Sequence, residues 1–365
     1  MSFKNKFRDK NVVITGHTGF KGSWLTFWLK LMGANITGIS LDPKTSPSNF
    51  ETLDLSKDTK DIRLNLLDRN KIEDIIVKSE PDFIFHLAAQ AIVKQSYVDP
   101  IETWQTNLMG TINILEILKK IKKKCSVVLI TSDKCYSNKE WLWGYREIDE
   151  LGGIDPYSAS KAATEIAIRS YSQSFFQTSQ SNIRLGSARA GNVIGGGDWS
   201  KDRLLPDCIK SWSQDKTVIL RNPSSTRPWQ HVLEPLSGYI WLASKLDEDD
   251  SFNGESFNFG PMDTEPQTVL SVVNEISKHW KKVNWEIQQD ETAHESGLLK
   301  LNCDKANQLL NWQSVLSFKK TIQITSEWYK EFYNEKLNMK DFTKYQIEEY
   351  MKLANEKNIE WALQC

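Results

Sequence analysis

The chain has 365 residues, of which 25% are charged and 39% are hydrophobic, and its formal net charge is -1. This composition is typical of a globular protein with two closely joined lobes, and it gives no support to a nucleic-acid or membrane partner recognised by bulk charge. Five scattered cysteines without a Cys-x-x-Cys pair predict neither a disulfide framework nor a metal site. A charged N-terminus and the lack of any run of roughly 18 apolar residues predict a cytoplasmic protein.

Short β-branched runs alternate with helical segments along the first half of the chain. Buried strands are predicted at residues 11–15, 35–41, 82–87 and 126–131. Strands separated by helices in this way predict a parallel sheet with helices on both faces. The predicted fold class is therefore α/β, with a Rossmann-type doubly wound parallel sheet.

The regular alternation fades after about residue 188 into a region rich in Gly, Pro and Trp. This change predicts a smaller C-terminal substrate-binding lobe. We predict a dinucleotide-binding domain over residues 1–187, completed by about 230–262. The substrate lobe is predicted from residues 188–229 and 263–365, with terminal helices over 321–357.

The loop after the first predicted strand carries three glycines in the sequence GHTGFKG. Missing β-carbons between a strand and an amphipathic helix let the backbone approach a pyrophosphate at the helix N-terminus. The alternative, a glycine turn without a ligand, is disfavoured by the strand before the loop and the helix after it. We therefore predict that a dinucleotide is held by Gly16, His17, Thr18, Gly19, Phe20, Lys21 and Gly22.

Asp42 follows the second predicted strand, twenty positions after Gly22. An acid there suits the two ribose hydroxyls of NAD and repels the extra phosphate of NADP, so the predicted cofactor is NAD. The alternative is a solvated turn acid, and the nearby Lys44 weakens the preference for NAD.

Tyr157 and Lys161 lie four residues apart in the sequence PYSASKAATE and share one face of a predicted helix. A lysine ammonium beside a phenol is expected to lower the pKa of the phenol. Tyr157 can then accept a proton from a sugar hydroxyl while hydride leaves to nicotinamide. The alternative is a surface pair, which the glycine loop upstream disfavours.

A hydroxyl, a carboxylic acid and an amine stand side by side at the end of the fourth predicted strand. We call Ser132, Asp133 and Lys134 the Ser-Asp-Lys triplet. A strand end beside a dinucleotide site is a suitable place for proton transfer. The alternative is a polar strand end with Lys134 in solvent.

Several stretches together resemble one family over nearly the whole chain. They are GHTGFKG, DIRLNLLD, HLAAQ, TNLMGT, TSDKCY, YSASK and RAGNVIGGGDW. The family is the extended short-chain dehydrogenase/reductases that modify nucleotide sugars, and the chain is most similar to its 4,6-dehydratases. In that group the triplet usually reads Thr-Asp-Glu. Lysine at position 134 departs from the branches that act on dTDP- and GDP-sugars and favours the branch that acts on CDP-glucose.

The resemblance implies a reaction and assigns the residues to it. NAD oxidises carbon 4 of the glucose, water leaves across carbons 5 and 6, and hydride returns to carbon 6. Tyr157 is the base at the 4-hydroxyl, Lys161 holds Tyr157 and the nicotinamide ribose, and Ser132 binds the oxyanion. Asp133 protonates the departing 6-hydroxyl. Lys134, in a low-dielectric pocket, removes the carbon 5 proton or stabilises the enolate.

The resemblance also implies further contacts and an assembly. Beside the glycine loop and Asp42, the NAD contacts are Asp61, Ile62, Leu87, Ala88, Ala89, Asn107, Tyr157 and Lys161. The implied nucleotide-sugar contacts are Gln90, Asn192, Arg203, Arg221, Arg227 and His231. A homodimer through the Tyr157 helix is expected, and the product would supply deoxysugars for a bacterial surface polysaccharide such as a lipopolysaccharide O-antigen.

Some residues keep a second interpretation. His86 in HLAAQ is expected to be a packed strand histidine, and Lys94 faces either substrate or solvent. Any one of the implied arginines is equally consistent with a surface salt bridge. Trp199, Trp212 and Trp229 could wall a pocket, although core packing is the better interpretation for Trp212.

Three other functions remain open. A nucleotide-sugar 4-epimerase on the same fold needs Tyr157, Lys161 and Ser132 but has no use for Asp133 and Lys134 as a proton-handling pair. A non-catalytic sugar-nucleotide binding protein is disfavoured by the intact Tyr157 and Lys161. A dehydratase that acts on another nucleotide-glucose is the third possibility.

Overall fold

The structure is a computed structural model that describes residues 3–262, 267–280, 282–288 and 298–363. The predicted substrate lobe therefore lies partly outside the described residues. The strands are β1 (Asn11–Thr15), β2 (Asn35–Ser40), β3 (Lys60–Arg63), β4 (Phe83–His86), β5 (Cys125–Ile130), β6 (Ile183–Arg189), β7 (Val193–Ile194), β8 (Val218–Leu220), β9 (Thr226–Arg227), β10 (Gln230–His231), β11 (Ser256–Asn258), β12 (Gln267–Thr268) and β13 (Trp285–Ile287).

The helices surround these strands. They are α1 (Phe20–Leu31), α2 (Asn49–Thr52), α3 (Arg69–Lys78), α4 (Val93–Val98), α5 (Pro100–Trp104), α6 (Gly110–Leu118), α7 (Pro156–Tyr171), α8 (Leu204–Trp212), α9 (Leu233–Glu248), α10 (Val269–Ser277), α11 (Asp304–Leu310), α12 (Phe318–Asn334) and α13 (Met339–Glu356). No helix among the described residues is long and apolar enough to cross a membrane.

Seven parallel strands form the central sheet, in the order β11-β6-β5-β4-β1-β2-β3. This is the strand order of a Rossmann fold with β11 added at one edge, so the predicted fold class is confirmed. The order reverses between β1 and β4. Ligands bind such sheets outside the carboxyl ends of the strands at this reversal.

Alternate side chains of each strand enter different cores because neighbouring β-carbons point to opposite faces of a sheet. Val12 and Ile14 of β1 pack in the core that contains α1 and α9, whereas Val13 packs in the core that contains α3 and α6. Strand β5 is buried along its whole length, as a central parallel strand covered on both faces must be. These two cores fix the carboxyl edge of the sheet.

Strands β3, β6 and β11 were not among the predicted strands. β3 (KDIR) is a polar strand at the sheet edge and lacks the apolar run used for prediction. β11 lies within residues 230–262, the segment that we predicted to complete the first domain. The division into domains stays a prediction.

The later part of the chain adds three two-stranded pairs, β7 with β10, β8 with β13 and β9 with β12. Two long terminal helices, α12 and α13, occupy the segment predicted to be helical. They do more than cover the substrate lobe, because Tyr350 of α13 packs against Trp28 of α1, with ring centroids 5.9 Å apart. The C-terminal helices therefore also support the helix that follows the glycine loop.

Candidate active site

The glycine loop lies against the chain that follows β4. Gly16 has φ +77°, and a Cβ built on it would come 2.7 Å from the backbone nitrogen of Ala88. A Cβ on Gly22 would come 2.0 Å from the carbonyl oxygen of Gly16. Only glycine allows this close approach, and α1 begins at the next turn with its N-terminus facing the loop. The loop fits the pyrophosphate of a dinucleotide.

Charged and polar side chains near the ends of β2 and β3 contact one another beside the glycine loop. His17 Nε2 lies 2.8 Å from Asp61 Oδ1, and Arg63 donates to Asp61 Oδ2 at 2.7 Å. The Arg63 Nε atom also lies 3.7 Å from the exposed carboxylate of Asp42. Burial lowers the pKa of His17. Both oxygens of Asp61 are thus engaged, whereas the Asp42 carboxylate is largely exposed to solvent.

Thr18 and Ile62 also lie at this end of the sheet. The Thr18 hydroxyl is within 2.8 Å of Ser40 Oγ and donates to the carbonyl oxygen of Leu41 at 2.9 Å. This contact joins the glycine loop to the end of β2. Ile62 is a half-buried residue of β3, and Phe20 begins α1.

Lys21 points away from the predicted cradle. Its ammonium donates to the Tyr239 hydroxyl at 3.4 Å, and its pKa falls to about 7 because of burial and the nearby charges of Lys161 and Arg203. The carboxylate of Asp133 acts in the opposite direction. The Lys21 side chain is therefore close enough to Lys161 and Asp133 to interact with their charges, and Tyr239 is a neighbour that was not selected from the sequence.

The segment after β4 is held by buried amides. The Asn107 amide accepts from the Gln90 nitrogen at 2.8 Å and donates to the Gln90 carbonyl at 3.1 Å and to Ser160 Oγ at 2.9 Å. Asn107 therefore joins the loop containing Leu87, Ala88 and Ala89 to α7. It acts as a support between two elements.

The side chain of Gln90 is held by hydrogen bonds within the protein, and its predicted contact with the substrate stays a prediction. Its side chain is 2% exposed, and its amide donates to the Ile92 carbonyl and to Thr103 Oγ1, while its oxygen accepts from the Ile92 nitrogen. These bonds turn the amide inward.

The prediction for His86 is confirmed, since it is a packed histidine bonded to Thr15 and Thr111.

The Ser-Asp-Lys triplet follows β5, and its carboxyl group is deeply buried. Asp133 is 2% exposed, and its Oδ1 accepts from Ser132 Oγ at 3.0 Å. Its other oxygen, Oδ2, is buried and has no hydrogen-bond partner among the described residues. A buried carboxylate oxygen without a hydrogen-bond partner can bind a hydroxyl group of a substrate.

Tyr157 and Lys161 lie in the first and second turns of α7, and both are buried. Burial raises the pKa of Tyr157 to about 12, opposed by a hydrogen bond with Ser132 and the charge of Arg203. Burial lowers the pKa of Lys161 to about 8, while the Glu165 carboxylate opposes the shift. The expected lowering of the Tyr157 pKa is wrong for this structure, because the loss of solvation outweighs the neighbouring cations.

Lys134 is half-buried, and among the described residues its ammonium has no hydrogen-bond or ion-pair partner. The low-dielectric pocket that we expected around this lysine stays a prediction. Its backbone nitrogen donates to Ser132 Oγ at 3.3 Å. The side chain is free to reach a bound substrate from the partly exposed edge of the site.

Two of the predicted substrate-binding arginines form ion pairs with nearby aspartates. Arg203 donates to Asp198 at 3.1 Å and acts on the pKa of both Tyr157 and Lys21, so it lies close to the catalytic groups. Arg221 lies 3.5 Å from Asp202, and the same carboxylate oxygen accepts from Lys94 at 2.6 Å. Lys94, which was expected to face either substrate or solvent, has its ammonium in an exposed ion pair with Asp202.

The remaining predicted substrate contacts are Asn192, Arg227 and His231. Asn192 is half-buried with φ +34°, and its carbonyl accepts from the Gln230 nitrogen. Arg227 lies in β9, where its guanidinium donates to the Thr226 carbonyl at 2.8 Å. His231 is fully buried against Trp24, with ring centroids 5.9 Å apart, and its predicted contact with the substrate stays a prediction.

The tryptophans of this region are core residues. Trp199 packs against Trp328 and Phe332, with ring centroids 5.7 Å and 4.8 Å away. Trp212 is 2% exposed, as expected for a core residue, and Trp229 is also buried. A pocket wall that includes Trp199 or Trp229 stays a prediction. No group of His, Cys, Asp and Glu in the described ranges is arranged to hold a metal ion.

The fold and the site together define a Rossmann enzyme with a Tyr-Lys pair and a buried acid beside a dinucleotide loop. The chain belongs to the GDP-mannose 4,6-dehydratase family, whose model matches residues 13–325. This membership confirms the predicted family and the prediction of an enzyme of the hydro-lyase class.

Curated relatives refine this placement. The chain is 44% identical to CDP-glucose 4,6-dehydratase of Salmonella typhimurium over 95% of this chain and 98% of the relative. It is 26% identical to UDP-glucose 4-epimerase of Mycoplasma pneumoniae over 74% of this chain and 82% of the relative. The dehydratase is thus much the more similar of the two.

A solved structure shows the same fold. UDP-glucuronic acid 4-epimerase from Bacillus cereus, in complex with UDP-glucuronic acid and NAD, matches with a TM-score of 0.73 and 22% identity. The match covers 88% of this chain and 99% of that chain.

Proposed function

We propose that the protein converts CDP-D-glucose to CDP-4-dehydro-6-deoxy-D-glucose and water with NAD as cofactor. The observation that carries this proposal is the buried Asp133, whose Oδ2 has no hydrogen-bond partner among the described residues and whose charge acts on Tyr157. An epimerase needs no such acid. Supporting the choice of CDP-glucose is the similarity to the Salmonella typhimurium enzyme.

NAD would be held by the glycine loop, Asp42 and the Leu87 to Ala89 segment, with Lys161 at the nicotinamide ribose. When bound, it would supply a hydride acceptor for carbon 4 and a hydride donor for carbon 6. The loop fits this group because Gly16 and Gly22 let the backbone pack tightly on itself and on Ala88, at the N-terminus of α1, where a pyrophosphate is bound in such folds.

The protein's own residues carry the proton transfers. Tyr157, as a phenolate, takes the proton of the 4-hydroxyl as the carbon 4 hydride leaves, and Ser132 donates a hydrogen bond to the forming carbonyl oxygen. The 4-ketone makes the carbon 5 proton acidic because it delocalises the resulting carbanion.

Elimination then requires one base and one acid. Lys134 removes the carbon 5 proton as a neutral amine, and the ammonium that results then stabilises the enolate. Asp133 in its protonated form gives a proton to the departing 6-hydroxyl, which leaves as water. Hydride addition at carbon 6 and proton return to carbon 5 complete the cycle.

Mass spectrometry of the nucleotide sugar tests the proposal. The protein and NAD are incubated separately with CDP-, dTDP-, UDP- and GDP-glucose. Loss of one water from CDP-glucose alone supports the reaction and the base together. If all four masses stay unchanged, the dehydratase assignment fails, and resolving galactose from glucose in the recovered sugar then tests an epimerase.

Asp133→Asn gives a sharper test of the acid. Asparagine keeps the size of the side chain but cannot donate the acidic proton, so the first hydride transfer is spared while elimination slows. Reduced nicotinamide should therefore accumulate in a single turnover. Turnover equal to that of the wild type would show that Asp133 is not the acid.

A homodimer through the Tyr157 helix is part of this proposal. Large apolar side chains on α4, α5 and α7 are solvent-exposed, including Val98 at 78%, Ile101 at 68% and Ile166 at 50%. These three helices contact one another, and exposed apolar side chains on neighbouring helices favour burial against a second copy. Sedimentation of wild type and Ile101→Glu tests it, since a dimer should dissociate in the variant and a wild-type monomer would refute it. Cytoplasmic location and the supply of deoxysugars stay predictions.

A further inference from the structure

A buried ion pair lies directly behind the catalytic residues. Arg189 Nη2 donates to Glu165 Oε2 at 2.7 Å, and the two side chains are only 3% and 2% exposed. Glu165 lies one turn after Lys161 on α7, and Arg189 is the last residue of β6. Neither residue was selected from the sequence.

The pair holds the Ser-Asp-Lys triplet from both ends. Thr131, immediately before Ser132, donates its hydroxyl proton to Glu165 Oε1. Tyr136, two residues after Lys134, accepts at its hydroxyl oxygen from Arg189 Nη1 at 2.8 Å. The two attachment points therefore enclose the triplet, and both lead to one ion pair.

Other contacts make the attachment rigid. The Arg189 guanidinium lies over the Tyr136 ring, 5.0 Å from its centroid, and donates to the Glu147 carbonyl at 3.1 Å. Glu165 Oε2 also accepts from Ser187 Oγ at 2.9 Å. A fully buried pair with several additional hydrogen bonds favours one geometry over the alternatives.

We propose that Glu165 and Arg189 are positioning residues, which fix the Ser-Asp-Lys triplet relative to Tyr157 and Lys161 for the elimination step. Helix α7 carries Tyr157 and Lys161 as well as Glu165. A shift of the triplet away from Glu165 is therefore also a shift away from Tyr157 and Lys161. This role rests on the proposed dehydratase function, although the geometric attachment does not depend on it.

The pair also acts on the charge of Lys161. The Glu165 carboxylate raises the pKa of Lys161 against the effect of burial. Among the charges that act most strongly on Lys161, Glu165 is the first. Glu165 therefore supports the protonated form of the lysine as well as the position of the triplet.

Two hydroxyl deletions test the proposal with a matched control. Thr131→Val and Ser187→Ala each remove one buried donor to the same carboxylate, but only Thr131 is joined to the triplet. A misplacement of the order of 1 Å in a catalytic group costs on the order of 100-fold in rate. We expect the kcat of Thr131→Val to fall at least tenfold with little change in KM, and that of Ser187→Ala to stay within about twofold.

Thr131→Ser restores the hydroxyl and should recover most of the lost kcat. Amide hydrogen exchange provides a readout that needs no turnover. The amides of Cys135 and Tyr136 donate to the Ser132 and Asp133 carbonyls within the triplet. We expect their exchange to accelerate in Thr131→Val and not in Ser187→Ala.

The outcomes separate the two proposals. Equal kcat and equal exchange in Thr131→Val and Ser187→Ala would overturn the positioning role. A wild-type protein that dehydrates none of the four nucleotide-glucoses would end the proposed function, and the exchange comparison would still decide whether the pair holds the triplet.

Discussion

The backbone of Gly191 lies against the carboxyl group of Asp133. A Cβ built on Gly191 would come 1.9 Å from Asp133 Oδ2 and 2.3 Å from its carboxyl carbon. Such a distance is far shorter than any van der Waals contact. Asp133 can keep its position only while residue 191 has no side chain, which gives the glycine of RAGNVIGGGDW a direct relation to the proposed acid.

Gly191→Ala should therefore impair elimination. The added methyl group must displace the Asp133 carboxyl from its buried position, and a shift of about 1 Å costs on the order of 100-fold in rate. We expect kcat to fall strongly with a smaller change in KM, and reduced nicotinamide to accumulate in a single turnover. Stopped-flow absorbance with CDP-glucose measures both effects.

Gly260→Ala provides the control for this substitution. Its Cβ would come no closer than 3.3 Å, to Cys303 Sγ, which is a tight contact with a side chain outside the site. We expect near wild-type turnover. A Gly191→Ala protein with the kcat of Gly260→Ala would show that the position of Asp133 does not limit elimination.

The pH dependence of turnover follows from the Tyr-Lys pair. The pKa of Tyr157 is about 12 and that of Lys161 is about 8, so below pH 8 the phenolate fraction rises about tenfold per pH unit while Lys161 stays charged. Above pH 8 the loss of charged lysine cancels the gain in phenolate. The logarithm of kcat/KM should therefore rise with unit slope and become level near pH 8.

Lys161→Met tests the origin of the break. Methionine carries no titrating charge, so kcat/KM of this variant should be lower throughout and should continue to rise above pH 8. If the variant shows the same break as the wild type, another group causes it. The measurement is initial rate against pH at saturating NAD.

The fold could be predicted because its signals are local. Strands β1 and β5 are buried on both faces, so each appears in the sequence as a run of β-branched residues. The turn after β1 needs φ +77° at residue 16, so it appears as a glycine. β3 lies at the edge of the sheet and needs no apolar run. A polar edge strand therefore leaves no comparable signal.

The site was predicted by residue type but not by side-chain direction. Gln90 and His231 lie in the expected segments, yet both side chains turn into the interior, where buried bonds and ring contacts hold them. Lys21 reaches Tyr239, which lies 218 residues further along the chain. Such contacts depend on the packing of distant elements, which a spacing rule within one segment cannot give.

The ion pairs of Asp202 yield another prediction. One oxygen of Asp202 pairs with both Lys94 and Arg221, and all three side chains are roughly 40% exposed. Asp202→Asn removes the competing carboxylate and frees two cations for a diphosphate. Exposed ion pairs contribute at most about 1 kcal/mol, so we expect the KM for the nucleotide sugar to fall by about two- to fivefold at low salt.

Asp215→Asn is the matched control for Asp202→Asn. Asp215 also has a left-handed backbone and pairs with an exposed lysine, Lys282, at 2.7 Å. It carries no contact with Lys94 or Arg221, so KM should not change. A higher KM in Asp202→Asn would mean that Asp202 helps the substrate to bind and does not compete with it.

Glu234 gives a prediction about stability, independent of the site. Its carboxyl group is 1% exposed and accepts from the backbone nitrogens of Val315 and Leu316 and from the Tyr350 hydroxyl, so it joins α9 to the C-terminal helices. Burial raises its pKa from 4.5 to about 7. The folded protein therefore holds a proton at pH values where the unfolded chain has already lost it.

The free energy of unfolding should consequently fall as the pH rises from 4.5 to 7, by about 3 kcal/mol from this group, and should depend no further on Glu234 above that range. Glu234→Gln keeps the acceptor for Leu316 and cannot ionise, so it should remove this part of the pH dependence. Glu348→Gln, on the exposed face of α13 beside Lys344, should retain it. Urea unfolding of the three proteins at pH 5 and pH 8 makes the comparison. If wild type and Glu234→Gln lose the same stability between these two pH values, Glu234 is ionised in the folded protein already at pH 5, with its three hydrogen bonds stabilising the buried charge.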